Sequence, residues 1–144
     1  MNRTVLWIGA AAVTAVVAYL AFAPTGSEDT QSVVFPAGAA LATVMVPDDL
    51  PEEALLGRRV FEAKCAECHG KNAAGRNGAG PPLVHEIYEP SHHGDAAFLL
   101  AARNGVRAHH WDFGSMLPVD DITDAEIGYV TRYVRALQRA NGIF

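Results

Sequence analysis

The chain has 144 residues, half of them hydrophobic, and a formal net charge of −5. That length admits one small domain with appendages. Eleven Lys/Arg against sixteen Asp/Glu, with no basic cluster, argues against a nucleic-acid binder, which gathers Lys and Arg on one face.

At the N-terminus, Met1-Asn2-Arg3 precedes an uncharged run from Val5 to Ala23. At about 1.5 Å per helical residue such a run covers roughly a hydrocarbon core. The basic start predicts a cytoplasmic N-terminus and an exported remainder. Residues 1–23 are therefore expected to form a single-pass membrane anchor or a cleaved signal peptide. Ala21-Phe22-Ala23 offers a small-x-small cleavage site, but Pro24 just beyond it favours retention. The expected location is the bacterial inner membrane with the domain in the periplasm, or soluble in the periplasm after cleavage. Residues 24–49 read as a tether, broken by Pro24, Gly26, Pro36, Gly38 and Pro47. Its apolar patches, 33–35 and 41–46, are expected to lie along the domain as short extended pieces.

The domain is expected over 50–144. Residues 51–66 predict a helix, with Pro51, Glu52 and Glu53 in the first turn and an apolar stripe of Leu55, Leu56, Val60 and Phe61. Cys65-Ala66-Glu67-Cys68-His69 ends it, a C-x-x-C-H pentad. Two thiols one helical turn apart can add to the two vinyl groups along one porphyrin edge. The adjoining histidine then ligates the iron. The rival readings are a redox dithiol, half a zinc site or a plain disulfide. No βαβ pattern surrounds the motif, and no second cysteine pair completes a zinc set.

Gly70, Gly75, Gly78 and Gly80 mark a loop. Residues 95–104 predict a helix capped by Asp95 and stopped at Asn104-Gly105. Met116, in Gly-Ser-Met-Leu-Pro, stands in a shaped loop rather than on a helical stripe. Its thioether is the expected second axial ligand, with His109 or His110 as the bis-histidine alternative. Thr123-x-x-Glu126 is a capping box. The helix it opens carries Ile127, Val130, Tyr133, Val134 and Leu137 on one face, and Arg132, Arg135 and Arg139 are expected in solvent.

From residue 51 to 141 the chain resembles a class I c-type cytochrome, a mono-haem and membrane-anchored bacterial one. The resemblance rests on Gly57-x-x-x-Phe61, the pentad, Gly80-Pro81-x-Leu83, Met116-x-Pro118 and Tyr133-Val134. It implies an all-α cytochrome c fold in which the first and last helices cross near Gly57 and Tyr133, with haem in the core. It implies that the Pro81 carbonyl fixes the free ring nitrogen of His69 and that Leu83 lines the haem pocket. Its functional implication is an electron carrier rather than an enzyme, bearing one covalent haem c. Such a carrier shuttles single electrons between membrane complexes: a quinol-oxidising complex, a photosynthetic centre or a terminal oxidase.

Histidine departs from that pattern. His85, His92, His93, His109 and His110 fall between Pro82 and Trp111. One reading places them on the surface or facing haem propionates. The other makes them a second metal site, copper foremost, in a cytochrome that handles copper or confers tolerance to it. Arg107 and Trp111 are donor-only groups suited to propionates, and Trp111 fits core packing equally well.

Overall fold

The structure is a computed structural model, described here for residues 35–144. The expected anchor or signal segment and residues 24–34 of the tether lie outside the described residues. Among the described residues, no helix is long and apolar enough to cross a membrane.

The described part is mostly helical and carries no β-strand, in keeping with the all-α expectation. Its α-helices are α1 (Glu52–Lys64), α2 (Ala66–His69), α3 (Asp95–Asn104) and α4 (Asp124–Ala140), with 3-10 turns at Lys71–Ala73 and Glu86–Tyr88. Isolated bridges join Arg76 to Gly80 and Val106 to Met116.

Helix α1 starts one residue later than the sequence predicts. Pro51 is its extended cap residue (φ −54, ψ 150), and Glu52 and Glu53 occupy the first turn, where the helix dipole favours acid. The helix also ends before the pentad. Cys65 has φ −120, and the amides of Cys68 and His69 both donate to its carbonyl, which starts the separate turn α2. The pentad therefore straddles a break instead of capping one continuous helix.

Helix α4 begins as its capping box predicts. The Thr123 hydroxyl accepts from the Glu126 amide, and the Glu126 carboxylate accepts from the Thr123 amide. Bonds from Thr123, backbone first, hold the Glu126 carboxyl below its usual pKa. Helix α3 starts differently from expectation. Gly94 is its cap residue, and Asp95 is its first helical residue, whose carboxylate accepts from Arg135 Nε at 2.8 Å.

Helices α1 and α4 cross at Gly57. A Cβ there would lie 1.9 Å from the Tyr129 carbonyl oxygen and 3.0 Å from Tyr133 Cβ, so the backbones meet only because the side chain is hydrogen. One turn on, Phe61 and Tyr133 are both fully buried, their rings tilted at 60° with centroids 5.7 Å apart. Val134 and Leu137 are the other large apolar side chains that are fully buried. Burial of each such side chain stabilises by about 1.5–3 kcal/mol.

Arg135 corrects the sequence reading. It is only 6% exposed, not on the solvent face. Besides Asp95, its guanidinium donates to the carbonyls of Tyr88 and His93 and to Gln138 Oε1. Gln138, 1% exposed, donates onward to the carbonyls of Leu83 and Tyr88 at 2.8 and 2.9 Å. The two side chains satisfy loop carbonyls that no secondary structure serves, and so pin residues 83–93 to α4. Arg135→Met should strand the His93 carbonyl and the Gln138 amide oxygen, at a cost of about 3 kcal/mol. A urea midpoint lowered with unchanged slope is the expected result.

The segment read as a tether contributes residues 35–49 to the compact unit Val34–Phe144. The amides of Leu41 and Ala42 donate to Ala74 O, the Gly38 amide donates to Asn77 O, and the Met45 backbone exchanges bonds with the Asn141 side chain. Val44 and Val46 pack against the core cluster. The contact boundary thus lies well ahead of residue 50.

Candidate haem site

A cavity of about 750 Å³ opens beside the α1–α4 crossing. Cys65, Cys68 and His69 line it from the α1–α2 break, and Met116 lines it from the segment before α4. Pro81, Leu83 and Trp111 also face it, as do His93, His109 and His110. Most of the rest of the wall is apolar, including Phe61, Phe98, Ile127 and Val130. The size and lining suit a large, flat, mostly apolar group.

His69 is half-buried. Its Nδ1–H donates to the Pro81 carbonyl at 3.0 Å, which leaves the Nε2 lone pair as the ligating atom. Burial lowers the His69 pKa, and the Pro81 bond opposes that in part. Burial thus favours the neutral ring, the form that binds a metal. The Pro81 carbonyl is held at the mouth of a loop fixed to the core. Leu83 donates from its amide to Ala73 O, and its own carbonyl accepts from Gln138.

The two cysteines are not joined to each other; Cys65 is half-buried and Cys68 exposed. Burial, with the neighbouring Cys68 charge second, pushes the Cys65 thiol up to about 11. A redox dithiol depends on a thiolate stabilised below the free value. The environment of Cys65 does the opposite, so Cys65 is not the activated thiol of such a pair.

Met116 is placed by its backbone. Helix α3 stops at Gly105, whose φ of +73 turns the chain back. Val106 and Met116 then exchange amide-to-carbonyl bonds at 2.9 Å each, and Val119 donates to Ala102 O at 2.8 Å. A Cβ on Gly105 would sit 2.5 Å from Met116 O and 3.1 Å from Pro118 Cδ. The methionine is thus tied to the end of α3, a restraint beyond the stiffness of Pro118.

Trp111 supplies a test of whether haem fits. Among the described residues its Nε1 is the buried side-chain polar atom left without a hydrogen-bond partner. Burial raises the Tyr88 pKa and the neighbouring Trp111 indole opposes this in part, but the two form no hydrogen bond of normal geometry. A buried donor without an acceptor is costly, and a carboxylate such as a haem propionate in this cavity would satisfy it. Two cysteines, an imidazole, a tethered thioether and an indole with an orphaned donor all line one cavity and match the group that the pentad predicts.

The cytochrome c family model matches residues 54–138. The chain belongs to the cytochrome c family. A search of curated proteins finds no match. Membership brings covalent haem and electron transfer with it. In this cytochrome c the pentad Cys65–His69 lies inside the matched stretch, and its cysteines and histidine line the cavity.

The remaining histidines separate into groups. The side chains of His92, His93 and His110 bring their ligand nitrogens within 4.8 Å of one another. The His109 ring lies 4.2 Å from that of His110, and its Nδ1–H donates to Arg107 O. His85 stands apart: its Nδ1 accepts from the Ile87 amide, and its ring meets Trp111 edge-on at 5.1 Å. Sequence reading missed the Arg135–Gln138 clamp behind this loop. Its signal was a polar pair at i, i+3 on the buried arc of α4, next to Thr131 and Val134.

Proposed function

We propose that this cytochrome c is a one-electron carrier whose iron is ligated by His69 and Met116. The observation that carries the reading is that α2 and the bridged Met116 segment line one mostly apolar cavity. Haem, when bound, supplies the ferric–ferrous couple. The chain's residues hold it and set its character. Cys65 and Cys68 would hold its edge. His69 is held in one tautomer by Pro81, and the apolar wall excludes water. Met116 offers a neutral, soft donor, which raises the potential relative to a second imidazole. With His69 and Met116 both holding the iron, no ligand position would be left for a substrate, as befits a carrier rather than an enzyme.

The segment before residue 24 supports placement at a bacterial inner membrane, with the domain in the periplasm. A retained anchor would raise the effective concentration near membrane partners. Those partners are redox complexes of the quinol-oxidising, photosynthetic or terminal-oxidase kind.

The test is spectroscopic. The ferric holoprotein should show the red-edge sulfur-to-iron absorption band, and the ferrous form should not take up carbon monoxide at neutral pH. A missing band with ready carbon monoxide binding would mean an open or weakly held sixth position.

A further inference from the structure

We propose that His92, His93 and His110 form a binding site for one divalent transition-metal ion of the imidazole-preferring kind, at the rim of the haem cavity. His92 and His93 close the turn before α3, and His110 comes from the loop between Val106 and Met116. Ring centroids are 4.6 Å apart for His92–His93, 5.3 Å for His93–His110 and 5.6 Å for His92–His110. Every ligand nitrogen of the trio lies within 4.8 Å of the other two.

The chain prepares one of these rings for ligation. The His93 Nδ1–H donates to the Ile87 carbonyl at 2.6 Å, which fixes the tautomer and leaves Nε2 free. Ring N–H donation to a backbone carbonyl is the usual support of a metal-bound histidine. The backbone beneath is also fixed. The amides of His92 and His93 donate to Glu89 O, and the His93 carbonyl accepts from the buried Arg135. Each neutral imidazole keeps one lone-pair nitrogen besides its N–H, and one shared cation can accept all three lone pairs at once. Metal–nitrogen bonds of about 2.0–2.1 Å need nitrogens about 3.3 Å apart, so the set must close slightly. His92 and His110 are exposed and have the room to rotate.

His93 and His110 face the same cavity as His69 and Met116, so the ion would sit beside the haem group rather than on a remote surface. All-nitrogen ligation suits zinc and copper, with copper(II) the tighter by the general order of divalent metals.

The test uses the full-length holoprotein, titrated calorimetrically with zinc(II), which is redox-silent, and then with copper(II). The expected result is one zinc per chain and tighter copper. His93→Gln and His110→Gln should each weaken zinc binding at least about tenfold, the scale on which even outer-shell partners of a ligand matter. His85→Gln should leave it unchanged. The haem absorption spectrum of each variant reports folding, so loss of the metal site is distinguishable from loss of the domain. It also keeps this result independent of the axial-ligand assignment. No one-to-one zinc binding, or equal affinities in wild type, His93→Gln and His110→Gln, would overturn the proposal.

Discussion

Met116→Ala yields a protein that keeps its haem but opens the sixth position. The red-edge band disappears, carbon monoxide binds the ferrous form, and the reduction potential falls. Cys65 lies at the break between α1 and α2, and Cys68 and His69 lie on α2, all away from the substituted segment in sequence, so attachment survives. The backbone bridge between Val106 and Met116 does not depend on the side chain and should hold the loop in place. What is lost is one soft donor and its stabilisation of the reduced iron. Loss of the truncated thioether's packing adds a stability cost of about 2 kcal/mol. Optical titration of the variant and the wild type side by side reads all of these. Persistence of the red-edge band in the variant would remove Met116 from the ligand set.

Gly57→Ala has the largest expected effect on stability. One added methyl meets the Tyr129 carbonyl oxygen at 1.9 Å, far inside contact distance, and that oxygen belongs to helix backbone rather than to a flexible side chain. To relieve it α1 and α4 must part. Their separation would unpack Phe61 from Tyr133, the two largest rings of the fully buried core. The cost should exceed about 3 kcal/mol, at or above the usual range for overpacking. Against a total stability of roughly 5–15 kcal/mol, that should lower the yield of folded holoprotein sharply. Gly128→Ala in α4 is the matched control. Its Cβ would meet only Arg132 Nη1, at 3.5 Å, so the ordinary helix preference for alanine over glycine should stabilise by up to about 1 kcal/mol. Urea midpoints of the two variants should move in opposite directions. If both move alike, the close crossing is not what fixes Gly57.

What was legible in the sequence was local. The pentad, the capping box of α4, the Gly105 stop and the apolar face around Tyr133 depend on residues within a turn or two of each other, and such patterns survive in one dimension. The first and last helices do cross at Gly57, but a glycine's role as a contact is visible only once its partner is known. That partner was supplied by resemblance to a family, not by spacing. Arg135 was misplaced for the same reason: the carbonyls that make its burial tolerable come from Tyr88 and His93, which are far away in the chain. The break at Cys65 could not be read because its residues are compatible with continuous helix. The docking of residues 38–45 relies on Ala74, Asn77 and Asn141, partners with no sequence signature.

The histidines are an intermediate case. Their abundance was plain, but nothing in the order of residues distinguished His92, His93 and His110 from His85. The fold does so by bending the 106–116 loop back over the start of α3, while His85 is engaged as the cap of a 3-10 turn. The same bend half-buries Trp111 at the cavity wall and leaves its buried Nε1 without an acceptor, which plain core packing would not explain.

The central claim is that one haem is held through the sulfurs of Cys65 and Cys68. Mass spectrometry of the native protein and of its proteolytic peptides measures this directly. The peptide spanning Cys65 to His69 should carry the added mass of a single haem, and neither thiol should accept an alkylating reagent. A colourless protein whose Cys65 and Cys68 are both alkylated, or are joined to each other, would contradict the account.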